Sequence, residues 1–227
     1  MTHPLDRPIW TSLATRQGGL GLGDARARRF HPDYAMFAAA ADRSEASRAA
    51  LTELVRVHGE AALVEADEPD VPPRLAVASH AVLLQMAADP AELKILTPGF
   101  DHQPLTDDDG PQMLALATLT KPGPFYARTH QLGDFVGVKR DGELIAMAGE
   151  RMKPEGFTEV SGVCAHPDHR GHGYAAGLMS VVAQRILARG ETPFLHVYDH
   201  NAPAIALYER LGYRLRREMR MLVVEAA

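Results

Sequence analysis

The run His169-Arg170-Gly171-His172-Gly173-Tyr174-Ala175 decides how this chain is read. Ahead of it lies Thr158-Glu159-Val160-Ser161-Gly162-Val163-Cys164-Ala165, a β-branched stretch closed by Pro167. Behind it, Leu178, Met179, Val182 and Ile186 recur at helical spacing between Ala176 and Arg189, and Gly190 supplies a C-terminal stop. The order is strand, glycine turn, helix. Such a turn has a chemical consequence, because the first turn of a helix leaves backbone N–H groups without partners and its dipole favours an anion there. Gly171 and Gly173 bring no Cβ, and Arg170 adds a permanent cation with several donors. A pyrophosphate fits that description.

A glycine turn alone could be no more than a tight connection, so the next forty residues matter. They read as a strand, Pro193-Phe194-Leu195-His196-Val197-Tyr198, then Asn201, then a helix with Pro203 in its first turn, Tyr208 inside it and Gly212 after Leu211. Taken together, these residues resemble the GNAT superfamily of acyl-CoA-dependent N-acyltransferases. Arg170-x-x-Gly173-x-Ala175 is similar to that family's acyl-CoA motif. Asn201, Ala204, Leu207-Tyr208 and Leu211-Gly212-Tyr213 are similar to its second signature. The resemblance covers residues 100–225 and is nearest to the FR47-like group. It implies an α/β fold: a mixed, mostly antiparallel sheet, splayed at the cofactor site and flanked by helices, here with an N-terminal α/β extension.

Composition sets the outer bounds. A chain of 227 residues with 46% hydrophobic and 23% charged residues can bury a proper core, and it has no apolar run long enough to span a bilayer. The net charge of −5 argues against nonspecific nucleic-acid binding, which needs a basic surface. Met1 to Pro8 lacks the basic-then-apolar layout of a secretory signal, so a cytoplasmic location is expected. A lone cysteine, Cys164, excludes an intramolecular disulfide.

Read from the N-terminus, Ile9 to Ala14 suggests a short helix. Arg16-Gln17-Gly18-Gly19-Leu20-Gly21 repeats the arginine-glycine spacing, but no β-branched strand precedes it and Pro32 soon interrupts the polar segment behind it, so it is a decoy. Gly21 to Asp42 reads as hairpin-like. Ser44 is a suitable N-cap for a helix through Val57. Strands are expected at Ala61 to Glu65 and Leu75 to Ala78, with Val82 to Ala88 ambiguous between strand and helix. Residues 1–98 therefore form an N-terminal α/β unit, a degenerate GNAT-like half or a plain packing partner shaping one wall of the substrate site. Residues 99–227 form the acetyltransferase domain. Within it, a strand is expected from Phe100 to Leu105, a Thr106-capped helix to Leu119, and a hairpin from Asp134 to Ala148 across Arg140-Asp141-Gly142.

Acetyl transfer from a thioester needs a neutral amine, a held thioester and a proton for the departing thiolate. By the resemblance, Glu159 is the candidate general base, with Glu150 as runner-up, and Tyr208 the general acid beside the CoA sulfur. Val163, Cys164 and Ala165 would offer backbone groups to the pantetheine arm, as a strand edge does to a peptide. Arg170, Gly171, His172, Gly173, Tyr174 and Ala175 would hold the pyrophosphate, with Asn201 and Tyr208 completing the cofactor contacts. Acetyl-CoA is thus the expected cosubstrate. Cys164 reads as a small buried strand residue rather than a nucleophile. His166, His169 and His172 straddle Pro167 and the glycine turn, where they cannot share one face, and no metal site is expected. The arginines at 210, 214, 216, 217 and 220 could meet an acidic substrate, the 3′-phosphate of CoA or a partner subunit, a solvated strand face being the commoner explanation, and are left unassigned.

Those assignments give an N-acetyltransferase for a primary amine of a small molecule, amino acid or peptide. Its rivals are a noncatalytic acyl-CoA-binding module and, more remotely, an interaction scaffold. The expected partners are the amine substrate and, in a homodimer, a second copy; neither nucleic acid nor membrane is expected.

Overall fold

A computed structural model describes residues 3–227. The N-terminal part contains α1 (Pro8–Ala14), β1 (Gly21–Gly23), β2 (Ala27–Phe30), β3 (Ala38–Ala40), α2 (Glu45–His58), β4 (Ala61–Glu65) and β5 (Leu75–Ala88). Ser44 caps α2 by accepting the Ser47 N–H, a contact worth about 1 kcal/mol in such positions. After residue 98 come β6 (Gln103–Leu105), α3 (Gly110–Thr120), β7 (Phe135–Arg140), β8 (Glu143–Glu150), β9 (Phe157–Ala165), α4 (Tyr174–Ala188), β10 (Thr192–Tyr198), α5 (Ala202–Arg210) and β11 (Tyr213–Ala226). No helix among the described residues is long and apolar enough to cross a membrane.

Eight strands make one sheet in the order β4-β11-β5-β10-β9-β8-β7-β6, and β1, β2 and β3 make a separate small one. The sheet is mixed and mostly antiparallel. Strands from both sides of residue 98 share it: β5 lies between β10 and β11 and pairs with both. This explains why Leu75 to Ala78 and Val82 to Ala88 are one strand rather than a strand and an ambiguous segment. Pairing with β11 carries the backbone through the exposed Ser79-His80 interruption, overriding the local pattern.

One further expectation is corrected. The strand expected from Phe100 is confined to Gln103–Leu105, because Phe100 turns away to pack edge-on against Tyr174 at 4.8 Å. The helix after Thr106 starts with a tight 3₁₀ turn, Asp107–Asp109, closed by a reciprocal Thr106/Asp109 capping box. In the C-terminal arginine group, Arg216 is half-buried and bonds Asp6 and Gln85.

The core lies between the sheet and its helices. Leu178, Met179, Val182 and Ile186 of α4 are buried against Val136, Ile145, Val160 and Leu195, which realises the spacing read from the sequence. At the decoy, Gln17 is buried and its amide bonds Leu132 and Arg151 carbonyls while accepting the Lys153 N–H. The second glycine stretch therefore docks the N-terminal part onto the segment after β8, and no helix succeeds it.

Candidate functional site

Strands β9 and β10 run parallel but stay paired only from Thr192↔Phe157 to Phe194↔Glu159. Beyond that register they part. One edge of β9 continues to bond β8, with an irregularity between Met147 and Gly149, while Gly162 takes φ +63°. That left-handed backbone suits glycine, and an added Cβ there would sit 2.9 Å from the Phe135 ring. The gap between the strands is a pocket of about 730 Å³ with its mouth included. Gly162 and Val163 line one side, Val197 and Tyr198 the other, and Asn201 and Tyr208 close the end. Phe37, Val64 and Leu83 from the N-terminal part, with Met152 and Met221, add an apolar wall.

Val163, Asn201 and Tyr208 are thus brought together, as their sequence placement implied. Asn201 caps α5 through its Oδ1, which accepts the Ala204 N–H at 3.3 Å. The ring of Tyr208 packs on the main core beside Tyr213, and burial pushes its phenol up to about 12. Cys164 does not line this pocket. Its side chain lies on the other face of β9 among Met113, Phe135 and Met147, where burial pushes the thiol up to about 11.

The glycine turn leads into α4 with Gly173 as its N-cap at φ +77° and Gly171 at φ +82°. Nothing lies within 4 Å of where a Cβ would be at either position. Arg170 and His172 are exposed and Ala175 is half-buried, whereas the Tyr174 side chain is buried under Phe100. Only the backbone of Tyr174 is left for a ligand. The turn opens onto its own shallow depression beside Arg140 and Pro98, adjoining the sheet rather than inside the strand gap.

For Glu159 the sequence suggests a proton acceptor, but the structure finds its carboxylate fully buried and fully engaged. Arg151 grips it with Nε at 2.8 Å and Nη2 at 2.7 Å, the Met152 N–H donates at 3.3 Å, and His196 Nδ1 lies at 2.8 Å. Despite the opposing effect of burial, those partners hold its pKa far below the usual carboxylate range. An anion so placed is an anchor. Its neighbour His196 has both nitrogens assigned by the network: Gln85 accepts from Arg216 with its oxygen and donates from Nε2 to the Leu5 carbonyl, so the same nitrogen faces His196 Nε2 as a donor. His196 then carries its proton on Nδ1 and gives it to Glu159. Glu150 is equally buried, between Arg189 and Lys153 at 2.7 and 2.8 Å. No carboxylate lines the pocket among the described residues.

Arg151 and His196 do reach the pocket, and neither stood out as a functional residue from the sequence. A signal for His196 exists: a polar residue inside the otherwise apolar Phe194 to Val197 strand needs a buried partner, and Phe194 registers with Glu159.

Known proteins share this fold. A family model described as FR47-like protein matches residues 135–222. A crystal structure from Novosphingobium aromaticivorans, of a protein of the GNAT acetyltransferase family, is 44% identical to this chain, covers all of both chains and superposes with a TM-score of 0.89. A GCN5-related N-acetyltransferase from Kribbella flavida shares the fold at 18% identity, TM-score 0.59, with 95% of each chain covered. A tandem GNAT protein from the clavulanic acid biosynthesis pathway does so at 15% identity and TM-score 0.56, covering 88% of this chain and 78% of its own. Among curated proteins, none matches this sequence.

Proposed function

This chain belongs to the GNAT family of acetyltransferases, and from that premise we propose that it is an acetyl-CoA-dependent N-acetyltransferase in which an amine attacks the thioester directly. The observation that carries this reading is the parting of β9 from β10 after Glu159, with Tyr208 and Asn201 at its end. A strand edge released from its neighbour presents unpaired amides, which match those of a pantetheine arm. The space left by Gly171 and Gly173 at the N-terminus of α4 suits the pyrophosphate, with Arg170 as its cation. When bound, acetyl-CoA supplies the activated acetyl group; the chain's own residues hold it and manage protons.

Tyr208 is the general acid. Its elevated pKa keeps the phenol protonated across the working range, so that a proton is available as the thiolate leaves. Glu159 acts at one remove, by fixing Arg151 and His196. Because no carboxylate among the described residues lines the pocket, the acceptor reacts as the neutral amine and its proton passes to water. The rate therefore rises with pH as the neutral fraction of the amine grows.

The rival reading, a noncatalytic acyl-CoA-binding module, draws on the same absence of a pocket carboxylate. Thiol release from acetyl-CoA, measured with a panel of amines alongside mass spectrometry of the products, separates the two. Amine-dependent thiol release matched by acetylated amine is the expected result. Tight acetyl-CoA binding with no amine-dependent release would establish the module instead.

A further inference from the structure

Arginine carries five N–H donors, and Glu159 takes two of those on Arg151, along the Nε/Nη2 edge. Three remain, on the Nη1/Nη2 edge, and Nη1 has no partner among the described residues. Arg151 as a whole is 9% exposed and lines the pocket between β9 and β10. Its flat face rests on the Phe37 ring, with Cζ 4.8 Å from the centroid. Its backbone is fixed as well: Arg151 N–H donates to the Glu159 carbonyl at 3.0 Å and Gln17 holds its own carbonyl at 2.7 Å. The guanidinium is therefore held along one edge by Glu159 and on one face by Phe37, in a residue that lines the cavity.

The remaining donors belong to a cavity lined by Ser161, Tyr198 and Asn201 as well as by Phe37, Met152 and Met221, where an accepting group of a ligand can pair with them. Arg151 and Glu159 form a neutral pair beside a neutral His196, so a bound carboxylate is held by the free arginine donors rather than by a net positive charge. A planar two-nitrogen edge matches a carboxylate in two parallel hydrogen bonds. Resting on the acetyl-transfer reading of this pocket, we infer that Arg151 is the acceptor-specificity residue and that the substrate is an amine bearing a carboxylate, an α-amino acid in the simplest case.

Calorimetry in the presence of CoA tests this with matched products: the N-acetyl derivatives of leucine, methionine and phenylalanine, each against the N-acetyl derivative of its decarboxylated amine. For at least one pair, the carboxylate-bearing product is expected to bind tenfold tighter or more. Arg151→Lys keeps a charge for Glu159 but loses the planar edge, and should bring that ratio close to one while leaving CoA affinity unchanged. Equal or weaker binding of the carboxylate-bearing member in all three pairs overturns the inference. So does an unchanged ratio in Arg151→Lys, or a loss confined to CoA, which would assign the free edge to the pantetheine arm. Should the variant fail to fold, the wild-type ratios decide. Failure of every amine to be acetylated removes the transferase reading, whereas the binding ratios report on Arg151 alone.

Discussion

Tyr208→Phe is expected to lower the turnover of acetyl transfer by roughly tenfold to a thousandfold, the range for loss of a general acid, with acetyl-CoA affinity nearly unchanged. The substitution removes one oxygen and keeps the ring. That ring stays packed beside Tyr213 and the main core, so the pocket wall survives. Higher pH should not rescue the variant, because what it lacks is a proton for the thiolate. Steady-state rates across pH, together with calorimetric affinity for acetyl-CoA, give the answer. Wild-type turnover under conditions where chemistry limits the rate would remove Tyr208 from the mechanism.

Glu159→Gln should act on stability before it acts on rate. Neutralising one partner of a buried ion pair strands the other, at a typical cost of about 3–5 kcal/mol, and here Arg151 would be the stranded charge. For a chain of this size that corresponds to a fall in Tm of roughly 10 °C. The dependence on pH comes from the same contacts. Because Arg151 and His196 depress the folded-state pKa of Glu159, its contribution is complete above the ordinary carboxylate pKa of about 4.3 and is lost as pH falls below it toward the folded value. The gap in Tm between wild type and variant should thus be widest near neutrality and close in acid. Thermal melts of both proteins from pH 7 down to pH 3 measure it. A gap of less than about 2 °C at pH 7 would mean that the carboxylate is not the anchor described.

What could be read from the sequence was local. The β-branched run of β9, the two glycines before α4 and the Asn201 cap of α5 all act within a few residues, and each lies where the pattern put it. The parting of the strands was legible only by resemblance, with Gly162 as its one local trace. What escaped was long-range. β5 pairs with β10 and β11 across more than a hundred residues, and no period in its own sequence records that position. The surroundings of Glu159 escaped for the same reason. Its contacts to Arg151 and His196 bridge 8 and 37 residues, Gln85 reaches His196 across 111, and Arg216 reaches Asp6 across 210. A glutamate on the strand entering the site reads as a base until those partners are seen around it. The N-terminal part likewise carries no chemical motif, yet Gln17 and Phe37 from it hold and cover Arg151.

The central claim is that the gap between β9 and β10 holds the thioester with Tyr208 beside its sulfur. A crystal structure with a nonhydrolysable acetyl-CoA analogue measures this directly. The pantetheine arm is expected along Val163, the pyrophosphate over Gly171 and Gly173, and the sulfur position within about 4 Å of Tyr208 Oη, close enough for proton transfer directly or through one water. An arm that lies outside the strand gap, or a sulfur position remote from Tyr208, would contradict it.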